Sequence, residues 1–466
     1  MQTGSRNTSG PVLKVVLIST YELGRQPFGL ASPAAWLRRR GMEVVTADLS
    51  VGDLPEAAVR LADLVAFYVP MHTATRLAVP LATRIKAQNP DAHICFYGLY
   101  APMNEAYLRS TGVHTILGGE FEAGLVSLCN RLQASGAADL PQTEPLISLD
   151  RQRFLVPDRR NLPPLSGYAR LRMGNGSPKT VGYTEASRGC KHLCRHCPVV
   201  PVYQGRFRIV QQHVVLEDIR RQVASGAEHI TFGDPDFFNG IGHAIPLVLE
   251  LHREFPDLTY DVTIKVEHLL KHADHLPTLR ETGCAIVTTA VESIDNDMLA
   301  LLDKGHTRTD FIRLVRLFRE HDLSLNPTFI PFTPWTTLEG YAGLLALLRD
   351  LDLIEHVAPV QLAIRLLVPE GSRLLQRPEV RTLLGPFDPE YLSYRWDHPD
   401  PRVDRLHRDI TRIVTRGQAK NAVRREIFGR IWAHANTALD RPFPPFDPAV
   451  VASPATVPYL TEPWYC

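Results

Sequence analysis

Three of the chain's seven cysteines lie within eight residues, at Cys190, Cys194 and Cys197. Their C-x3-C-x2-C spacing directly follows residues 180–186, whose alternating pattern predicts a β-strand. Thiolates are soft ligands that hold zinc or iron–sulfur clusters. A cube of four irons that is held by only three cysteines leaves one iron without a protein ligand. The pattern therefore predicts a cluster at which a small chelating cofactor can bind.

This spacing resembles that of the radical S-adenosylmethionine (SAM) superfamily. The resemblance implies that the three cysteines are the metal ligands of a [4Fe–4S] cluster and that SAM chelates its fourth iron. It also implies that an electron from the cluster cleaves a carbon–sulfur bond of the sulfonium. The alternative is a structural zinc site in which His192 or His196 completes a set of four ligands. Zinc sites usually bring their ligands as two separated pairs, and no second C-x2-C motif follows in the sequence.

The bulk composition limits the class of protein. A length of 466 residues predicts about two or three domains, and 44% hydrophobic with 22% charged residues is typical of a globular protein. The formal net charge of +1 argues against nucleic-acid binding. We find no secretory signal and no apolar run of the about 20 residues that span a bilayer, so we expect a cytoplasmic protein without a membrane partner.

The first part of the chain predicts a Rossmann-like domain over residues 11–135, after a disordered N-terminus at residues 1–10. Short apolar runs alternate there with helical stretches, which is typical of a doubly wound parallel sheet. The order of domains and the Gly-Gly-Glu turn at residues 118–120 resemble the cobalamin-binding branch of the superfamily. The loop at residues 20–29 has no histidine to ligate cobalt, so cobalamin binding and a scaffold role both remain compatible with the sequence.

Beyond a polar, proline-rich linker at residues 136–178, the alternation of strands and helices resumes. Together with the strand before Cys190, it predicts six β/α units, and thus a partial (β/α)6 barrel over residues 179–372. A mainly helical C-terminal region is expected at residues 373–466. Because parallel strands present their carboxyl ends on one rim, we expect the active site at that rim.

Four predicted strands end in residues that could bind SAM. The second ends in Gly233-Asp234-Pro235-Asp236, which resembles the position that holds the SAM amino group, although Gly, Pro and Asp also make ordinary turns. In the third, Glu267 shares a strand face with Lys265 and would hold a ligand or form a salt bridge. The remaining two supply Glu292 and Ser293, which resemble the segment that contacts the ribose and methionine of SAM, and Arg365, which would bind a carboxylate or form an internal ion pair.

The chain ends in Glu462-Pro463-Trp464-Tyr465-Cys466. Together with residues 186–208, this ending resembles the radical SAM family named for its Cys-Cys or Cys-selenocysteine Ala-Glu-Pro tail, although the chain stops at the first residue of that motif. The family includes the radical SAM enzyme of arsinothricin biosynthesis. This resemblance implies that the 3-amino-3-carboxypropyl group of SAM is transferred to trivalent arsenic, with Cys466 as a catalytic residue that helps to hold arsenite.

The implied partners are a small-molecule substrate and an electron donor such as flavodoxin or ferredoxin. Three other interpretations stay open at this point. They are a cobalamin-dependent methyltransferase, a conventional 5′-deoxyadenosyl radical enzyme and a non-enzymatic zinc protein.

Overall fold

The computed structural model describes residues 12–136, 140–174, 176–440, 445–447 and 457–462. The contacts divide the chain into two compact units, with the boundary between Tyr168 and Ala169. Each unit is built around its own parallel sheet, and each is described by itself.

The first unit contains a six-stranded parallel sheet in the order β2-β1-β3-β4-β5-β6. Its strands are apolar on both sides because helices cover both faces of the sheet. One face packs against Leu30 of α1 and Leu128 of α5, and the other packs against Ala82 of α3. The predicted Rossmann-like sheet is confirmed. Its elements are β1 (Lys14–Ser19), α1 (Phe28–Arg39), β2 (Glu43–Asp48), α2 (Glu56–Arg60), β3 (Leu64–Tyr68), α3 (His72–Gln88), β4 (His93–Tyr97), α4 (Glu105–Ser110), β5 (Thr115–Gly119), α5 (Glu122–Ser135) and β6 (Ile147–Ser148).

Much of the segment assigned to a linker from sequence packs on this first unit. Strand β6 pairs with the end of β5, where Gly119 lies opposite Ser148. The carboxylate of Glu144 lies 2.7 Å from the guanidinium of Arg131 in α5. Polar groups of this segment therefore find their hydrogen-bond and ion-pair partners at the edge of the sheet. The polar, proline-rich composition of the segment did not predict these contacts.

The second unit contains a seven-stranded sheet in the order β14-β13-β12-β11-β8-β7-β17. The five strands from β8 to β14 in this order are parallel, and helices connect them, so the predicted α/β class with a partial barrel is confirmed. Its elements up to the last parallel strand are β7 (Arg170–Arg172), β8 (Lys179–Thr184), β9 (Ser187–Gly189), α6 (Val199–Tyr203), β10 (Phe207–Ile209), α7 (Gln212–Ala224), β11 (His229–Phe232), α8 (Ile241–Glu254), β12 (Thr259–Thr263), α9 (Val266–Lys271), α10 (Leu276–Glu281), β13 (Cys284–Glu292), α11 (Asn296–Leu302), α12 (Arg308–Glu320) and β14 (Leu325–Phe329).

The apolar run around Arg365 predicts the sixth barrel strand, over residues 360–368, and this prediction is wrong. A 3₁₀ helix occupies Pro359–Leu362, and only one parallel β-bridge, between Phe332 and Arg365, continues the sheet. Leu366 still donates a backbone hydrogen bond to the carbonyl of Phe332, but the chain beside Phe329 is a 3₁₀ helix, and there a side chain supplies the partner. Oε1 of Gln361 accepts a hydrogen bond of 3.1 Å from the backbone N–H of Phe329, which a sixth strand would otherwise receive.

The remaining elements pack on the second unit. The two expected C-terminal helices are present as α15 and α16, and the final described segment returns to the sheet, where Leu460 of β17 lies opposite Leu171 of β7. Among the described residues, no helix is long and apolar enough to cross a bilayer. These elements are α13 (Leu338–Asp350), α14 (Pro378–Arg381), β15 (Phe387–Asp388), β16 (Ser393–Tyr394), α15 (Pro401–Ala419), α16 (Arg424–Thr437) and β17 (Tyr459–Leu460).

Candidate active site

The three clustered cysteines lie on a loop that leaves the carboxyl side of the barrel sheet. The chain turns out of β9 through Gly189, whose φ of +77° suits glycine, and a Cβ there would lie 2.4 Å from the ring of Tyr203. The backbone N–H of Cys197 then donates to the carbonyl of Cys194 over 3.2 Å. The loop is thus held in one compact turn, and all three thiols are free of disulfides.

Burial, with smaller contributions from Asp236 and Cys194, raises the pKa of Cys190 to about 11, and burial together with the other two cysteines raises the pKa of Cys197 to about 12. Thiols with such pKa values keep their protons at neutral pH and release them when a metal binds to the sulfur. Within the described residues of this unit, no fourth thiol joins them. Cys284 is the first residue of β13, so it lies at the amino end of that strand and not at the carboxyl rim. This donor set fits a four-iron cluster that keeps one iron for an exchangeable ligand.

Asn239 holds the first half of the loop, and it was missed in the sequence analysis. This residue is 1% exposed and lies in the 3₁₀ helix Phe237–Gly240 that follows β11. Its Oδ1 accepts a hydrogen bond of 3.0 Å from the backbone N–H of Lys191 and lies 3.8 Å from Sγ of Cys190. The signal that could have found it is an asparagine between two phenylalanines and a glycine, in the loop that follows a predicted strand.

Gly233 and Asp234 follow β11, as the sequence predicts. A Cβ at Gly233 would lie 1.9 Å from the hydroxyl of Tyr183, so only glycine fits there. The carboxylate of Asp234 accepts hydrogen bonds from the backbone of Ala186 over 2.9 Å and from the hydroxyl of Ser187 over 2.5 Å. Burial raises the pKa of Asp234 to about 7. In this geometry Asp234 ties the rim to the strand that precedes the cysteine loop.

Asp236 lies between two histidines. Its Oδ2 is 2.7 Å from Nδ1 of His268 and 3.4 Å from Nε2 of His192, and the two rings are 4.5 Å apart. Although burial raises the pKa of Asp236, its two histidine neighbours outweigh that effect and lower it. The ligand atoms of Cys190, His192 and Asp236 all lie within 4.8 Å of one another. Asp236 thus lies beside the first cysteine of the loop, and the sequence did not indicate the contribution of His268.

The expected placement of Glu267 on a strand is wrong. Strand β12 ends at Thr263, and Glu267 lies in the first turn of α9, where an acidic side chain is favoured by the helix dipole. The salt bridge that was the alternative to ligand binding is present, with Nζ of Lys265 3.3 Å from Oε2 of Glu267. The same oxygen is 3.5 Å from Nδ1 of His192, so Glu267 reaches the cysteine loop from the rim.

Glu292 ends β13 and binds the second half of the loop. Its Oε1 is 3.3 Å from Nζ of Lys304 and 3.1 Å from Nε2 of His196, which lies between two of the cysteines. Burial raises the pKa of Glu292, but Lys304 and His196 oppose this more strongly and bring it down to about 2. The backbone of Glu292 has a φ of +68°, and the register of β13 against β14 shifts at this point. Such strain in a non-glycine residue is typical of functional sites.

Lys304 is 3% exposed and was not selected from sequence as a site residue. Burial lowers the pKa of Lys304, but Glu292, Cys194 and Cys197 oppose this effect, and together they raise it above its ordinary value. A buried cation beside two of the cysteines would compensate negative charge of a thiolate-bound cluster. The Gly305 that follows allows the close approach of Glu267, whose Oε2 would lie 2.4 Å from a Cβ at that position.

Ser293 lies at the entrance to a cavity at the carboxyl ends of β13 and β14. Its hydroxyl accepts a hydrogen bond of 3.0 Å from the backbone of Asp295. The cavity has a volume of ≈ 390 Å³, which suits a small molecule. Its walls include Glu292, Ser293, Arg308, Thr333, Trp335 and Tyr341.

Arg365 lies apart from these residues. Its guanidinium is 2.6 Å from the carboxylate of Asp404, donates to the carbonyl of Trp396 over 2.5 Å and lies 3.5 Å from the centre of the Trp396 ring. Of the two alternatives for this residue, the structure therefore contains the internal ion pair. The expected catalytic Cys466 lies outside the described residues.

A partial parallel barrel with a three-cysteine loop at its carboxyl rim defines a protein that binds an iron–sulfur cluster with an open iron. In agreement with this, residues 184–345 match the family model of the radical SAM superfamily. The chain therefore contains a radical SAM domain, and the superfamily predicted from the cysteine spacing is confirmed. Such a domain implies a [4Fe–4S] cluster and SAM as cofactors.

The sequence is also similar to tRNA-2-methylthio-N(6)-dimethylallyladenosine synthase of Roseiflexus sp., with 27% identity over 224 residues. The match covers 42% of the chain and 45% of that relative, so the chain spans less than half of the relative's length.

Two solved structures share the fold over most of the chain. One is the cobalamin-dependent SAM radical enzyme OxsB with aqua-cobalamin bound, with a TM-score of 0.65, 15% identity and coverage of 91% of this chain and 72% of that one. The other is the radical SAM methyltransferase TsrM of Kitasatospora setae, with a TM-score of 0.55, 21% identity and coverage of 73% and 71%. The narrower family with the Ala-Glu-Pro tail stays a prediction.

Proposed function

We propose that this protein is a radical SAM transferase that reductively cleaves SAM and transfers one of its groups to a small acceptor. The observation that carries the proposal is the loop of three free thiols, placed beside a buried cation at the carboxyl rim of the partial barrel. When bound, the [4Fe–4S] cluster supplies the electron that cleaves the sulfonium, and SAM supplies the transferred group.

The chain's own residues position these groups. Cys190, Cys194 and Cys197 would hold the cluster, and Asn239 fixes the turn that carries the first of them. Glu292 attaches the second half of the loop to β13 through His196. The cavity beside Ser293 would accommodate the small acceptor or part of SAM, with Trp335 as an aromatic wall and Arg308 as a cation for a carboxylate.

The transferred group defines two candidates. Methyl transfer through cobalamin is supported by the likeness to OxsB and TsrM, the first of which covers the N-terminal unit as well as the barrel. The β1 end of the first sheet offers a fitting acceptor, since the hydroxyl of Ser19 is fully buried and has no hydrogen-bond partner among the described residues. Such acceptors suit the amide groups around a corrin ring, and β1 borders the switch point of this strand order.

The second candidate is transfer of the 3-amino-3-carboxypropyl group to trivalent arsenic. It is supported by the terminal Cys466 and its resemblance to the family with the Cys-rich tail, because thiolates are good ligands for thiophilic centres. In this reaction the bond between the sulfonium and its aminocarboxypropyl carbon breaks, methylthioadenosine leaves and the carbon–arsenic bond forms. Trivalent arsenic supplies the electron pair of the new bond and becomes pentavalent, so the one electron that starts the cleavage is released again.

The experiment that separates these candidates is anaerobic reconstitution of the full chain, followed by reduction in the presence of SAM and identification of the nucleoside products. Methyl transfer predicts S-adenosylhomocysteine that depends on added cobalamin. Aminocarboxypropyl transfer predicts methylthioadenosine that increases with added arsenite. Deoxyadenosine alone would support SAM cleavage but contradict both transfers, and no nucleoside product at all would contradict the proposed activity.

A further inference from the structure

The segment that carries the cysteine loop has an unusual distribution of charge. Residues 186–212 contain five basic residues and no acidic residue, although the whole chain has 51 basic and 50 acidic residues. A local excess of positive charge in a nearly neutral protein creates a field that attracts anionic partners to that part of the surface.

Two of these five cations lie on the surface without an ion pair. Arg188 and Arg195 are paired with Glu185 and Asp303, respectively. By contrast, Lys191 and Arg206 are exposed and form no ion pair within the described part of the chain. Nζ of Lys191 lies 5.0 Å above the centre of the Phe207 ring.

Exposed apolar side chains lie between and beside these cations. Leu193 and Ile209 are each 40% exposed. Leu193 lies against Gly205, and Phe207 and Ile209 lie against Gly240. Neither glycine has a side chain that could cover these apolar groups. We call the set Lys191, Leu193, Arg206, Phe207 and Ile209 the loop surface.

We propose that the loop surface is the docking site of a small acidic protein that carries one electron. This inference rests on the proposed function, because the cluster must be reduced before SAM is cleaved. Lys191 and Leu193 lie between Cys190 and Cys194 in the sequence. An electron that leaves a carrier bound to these residues would therefore have only a few covalent bonds to cross before it reaches a cluster ligand. One electron leaves the carrier, which is oxidised, and enters the cluster, which is reduced.

The mixed character of the loop surface favours a protein over a nucleic acid. Redox partners bind through small interfaces, in which charge steers the encounter and a few apolar contacts fix the orientation. A polynucleotide would instead be bound by many phosphate contacts from Lys and Arg, and the loop surface has only two unpaired cations with apolar residues between them.

The experiment uses the reconstituted full chain and reduced flavodoxin as the probe. Loss of the cluster's visible absorbance on reduction is followed by stopped flow at low and high ionic strength. The double variant Lys191→Glu, Arg206→Glu should slow this reduction at least about tenfold at low salt and should remove most of its salt dependence. The variant Leu193→Ser, Ile209→Ser should slow it by a smaller factor and leave the salt dependence unchanged.

The matched control is Arg313→Glu, Arg316→Glu, which makes the same charge change at two exposed positions of α12 in the same unit. It should retain the wild-type rate with flavodoxin. Reduced methyl viologen, a small cation that needs no docking site, should reduce the cluster of every variant at the wild-type rate.

Several outcomes would overturn the proposal. Equal flavodoxin rates for the loop-surface and control variants would do so, and so would flavodoxin reduction that is competed by a tRNA bound at the same residues. If methyl viologen reduces no cluster in the wild type, then the proposed function itself fails, and this result differs from a docking failure.

Discussion

The two parallel sheets of this chain use the carboxyl ends of their strands in different ways. In the first sheet, the chain's own atoms fill two parts of the rim. A Cβ at Gly119 would lie 2.1 Å from the carbonyl of Ser148, and the space beside Gly29 is filled by the ring of Tyr68. The Gly-Gly-Glu turn that suggested a cofactor therefore serves the packing of β6.

In the second sheet, the rim is lined by groups that are costly to keep buried. The buried charges are the strained Glu292 and Lys304, and they lie beside the three thiols of the cysteine loop. A parallel sheet provides a place for a ligand, but the side chains decide whether that place is filled or functional. If the first sheet binds a ligand, we therefore expect it at the carboxyl end of β1 and not at the Gly-Gly turn.

The strongest test of this contrast removes one thiol from the functional rim. Cys194→Ala should abolish SAM cleavage and leave far less iron than the about four atoms per chain of a complete cluster, because two thiolates cannot hold the cube. Iron, acid-labile sulfide and nucleoside products are measured after reconstitution. Cys129→Ala, which removes a buried thiol from the first unit, should keep all three at the wild-type level. Equal iron in both variants would show that the cysteine loop is not the cluster site.

The next largest effect is expected at the buried ion pair. Lys304→Met leaves the carboxylate of Glu292 buried with only His196 beside it, so we expect a loss of about 3–5 kcal/mol in the free energy of unfolding. Adding Glu292→Gln removes the uncompensated charge and should recover more than about 1 kcal/mol. Chemical denaturation of the cluster-free protein gives both values. Purely additive losses would mean that the two side chains do not interact in solution.

A matched pair of glycines tests the packing of the first rim. Gly119→Ala should cost about 2–4 kcal/mol, because the new Cβ would overlap the carbonyl of Ser148 and the backbone φ is +71°. Gly112→Ala has a similar φ of +89° but no atom within 4 Å, so it should cost only about 1 kcal/mol. The fluorescence of Trp36 in α1 reports the unfolding of this unit. Similar costs for the two variants would indicate that the rim is open rather than filled.

The functional rim should also show a pH-dependent stability that comes from Asp234. Its pKa is about 7 in the folded protein and about 3.8 when unfolded, so the folded state binds the proton more tightly. The resulting stabilisation is complete below about pH 3.8 and is lost as the pH rises through 7, by at most about 1.4 kcal/mol per pH unit.

Asp234→Asn should remove this dependence and keep the fold, because an amide can accept from Ala186 and donate to the hydroxyl of Ser187. Denaturation midpoints of the two proteins at pH 5, 6 and 7 measure the difference. Parallel pH profiles would contradict an elevated pKa for Asp234.

Local patterns were sufficient to predict much of this molecule. The apolar runs at residues 93–97 and 229–232 predict strands, and β4 and β11 have these bounds. The cluster cysteines are close together in sequence, so their grouping does not depend on the fold. Most of the alternation of helices and strands follows from the same local signals.

What could not be predicted depends on partners that are distant in sequence or on unusual backbone conformations. The side chain of Gln361 accepts a hydrogen bond from the backbone of Phe329 where a strand was expected to pair, and no periodicity indicates this contact. Lys304 pairs with a glutamate twelve residues earlier, and that residue, Glu292, has a positive φ that no sequence pattern indicates. The pairing of β17 with β7 joins segments that lie almost three hundred residues apart, and a two-residue strand carries no sequence signal of its own.

Arg365 provides the smallest but most direct test of which polar residues belong to the functional rim. Its guanidinium is held by Asp404 and by the carbonyl and ring of Trp396, so its role here is to attach α15 to the barrel. Arg365→Lys keeps the charge for Asp404 but loses the planar contact with Trp396, and we expect a cost of about 1 kcal/mol in unfolding free energy. The KM for SAM should stay unchanged. If instead the KM rises severalfold while stability is unaffected, then Arg365 binds the SAM carboxylate and its ion pair with Asp404 must open when SAM binds.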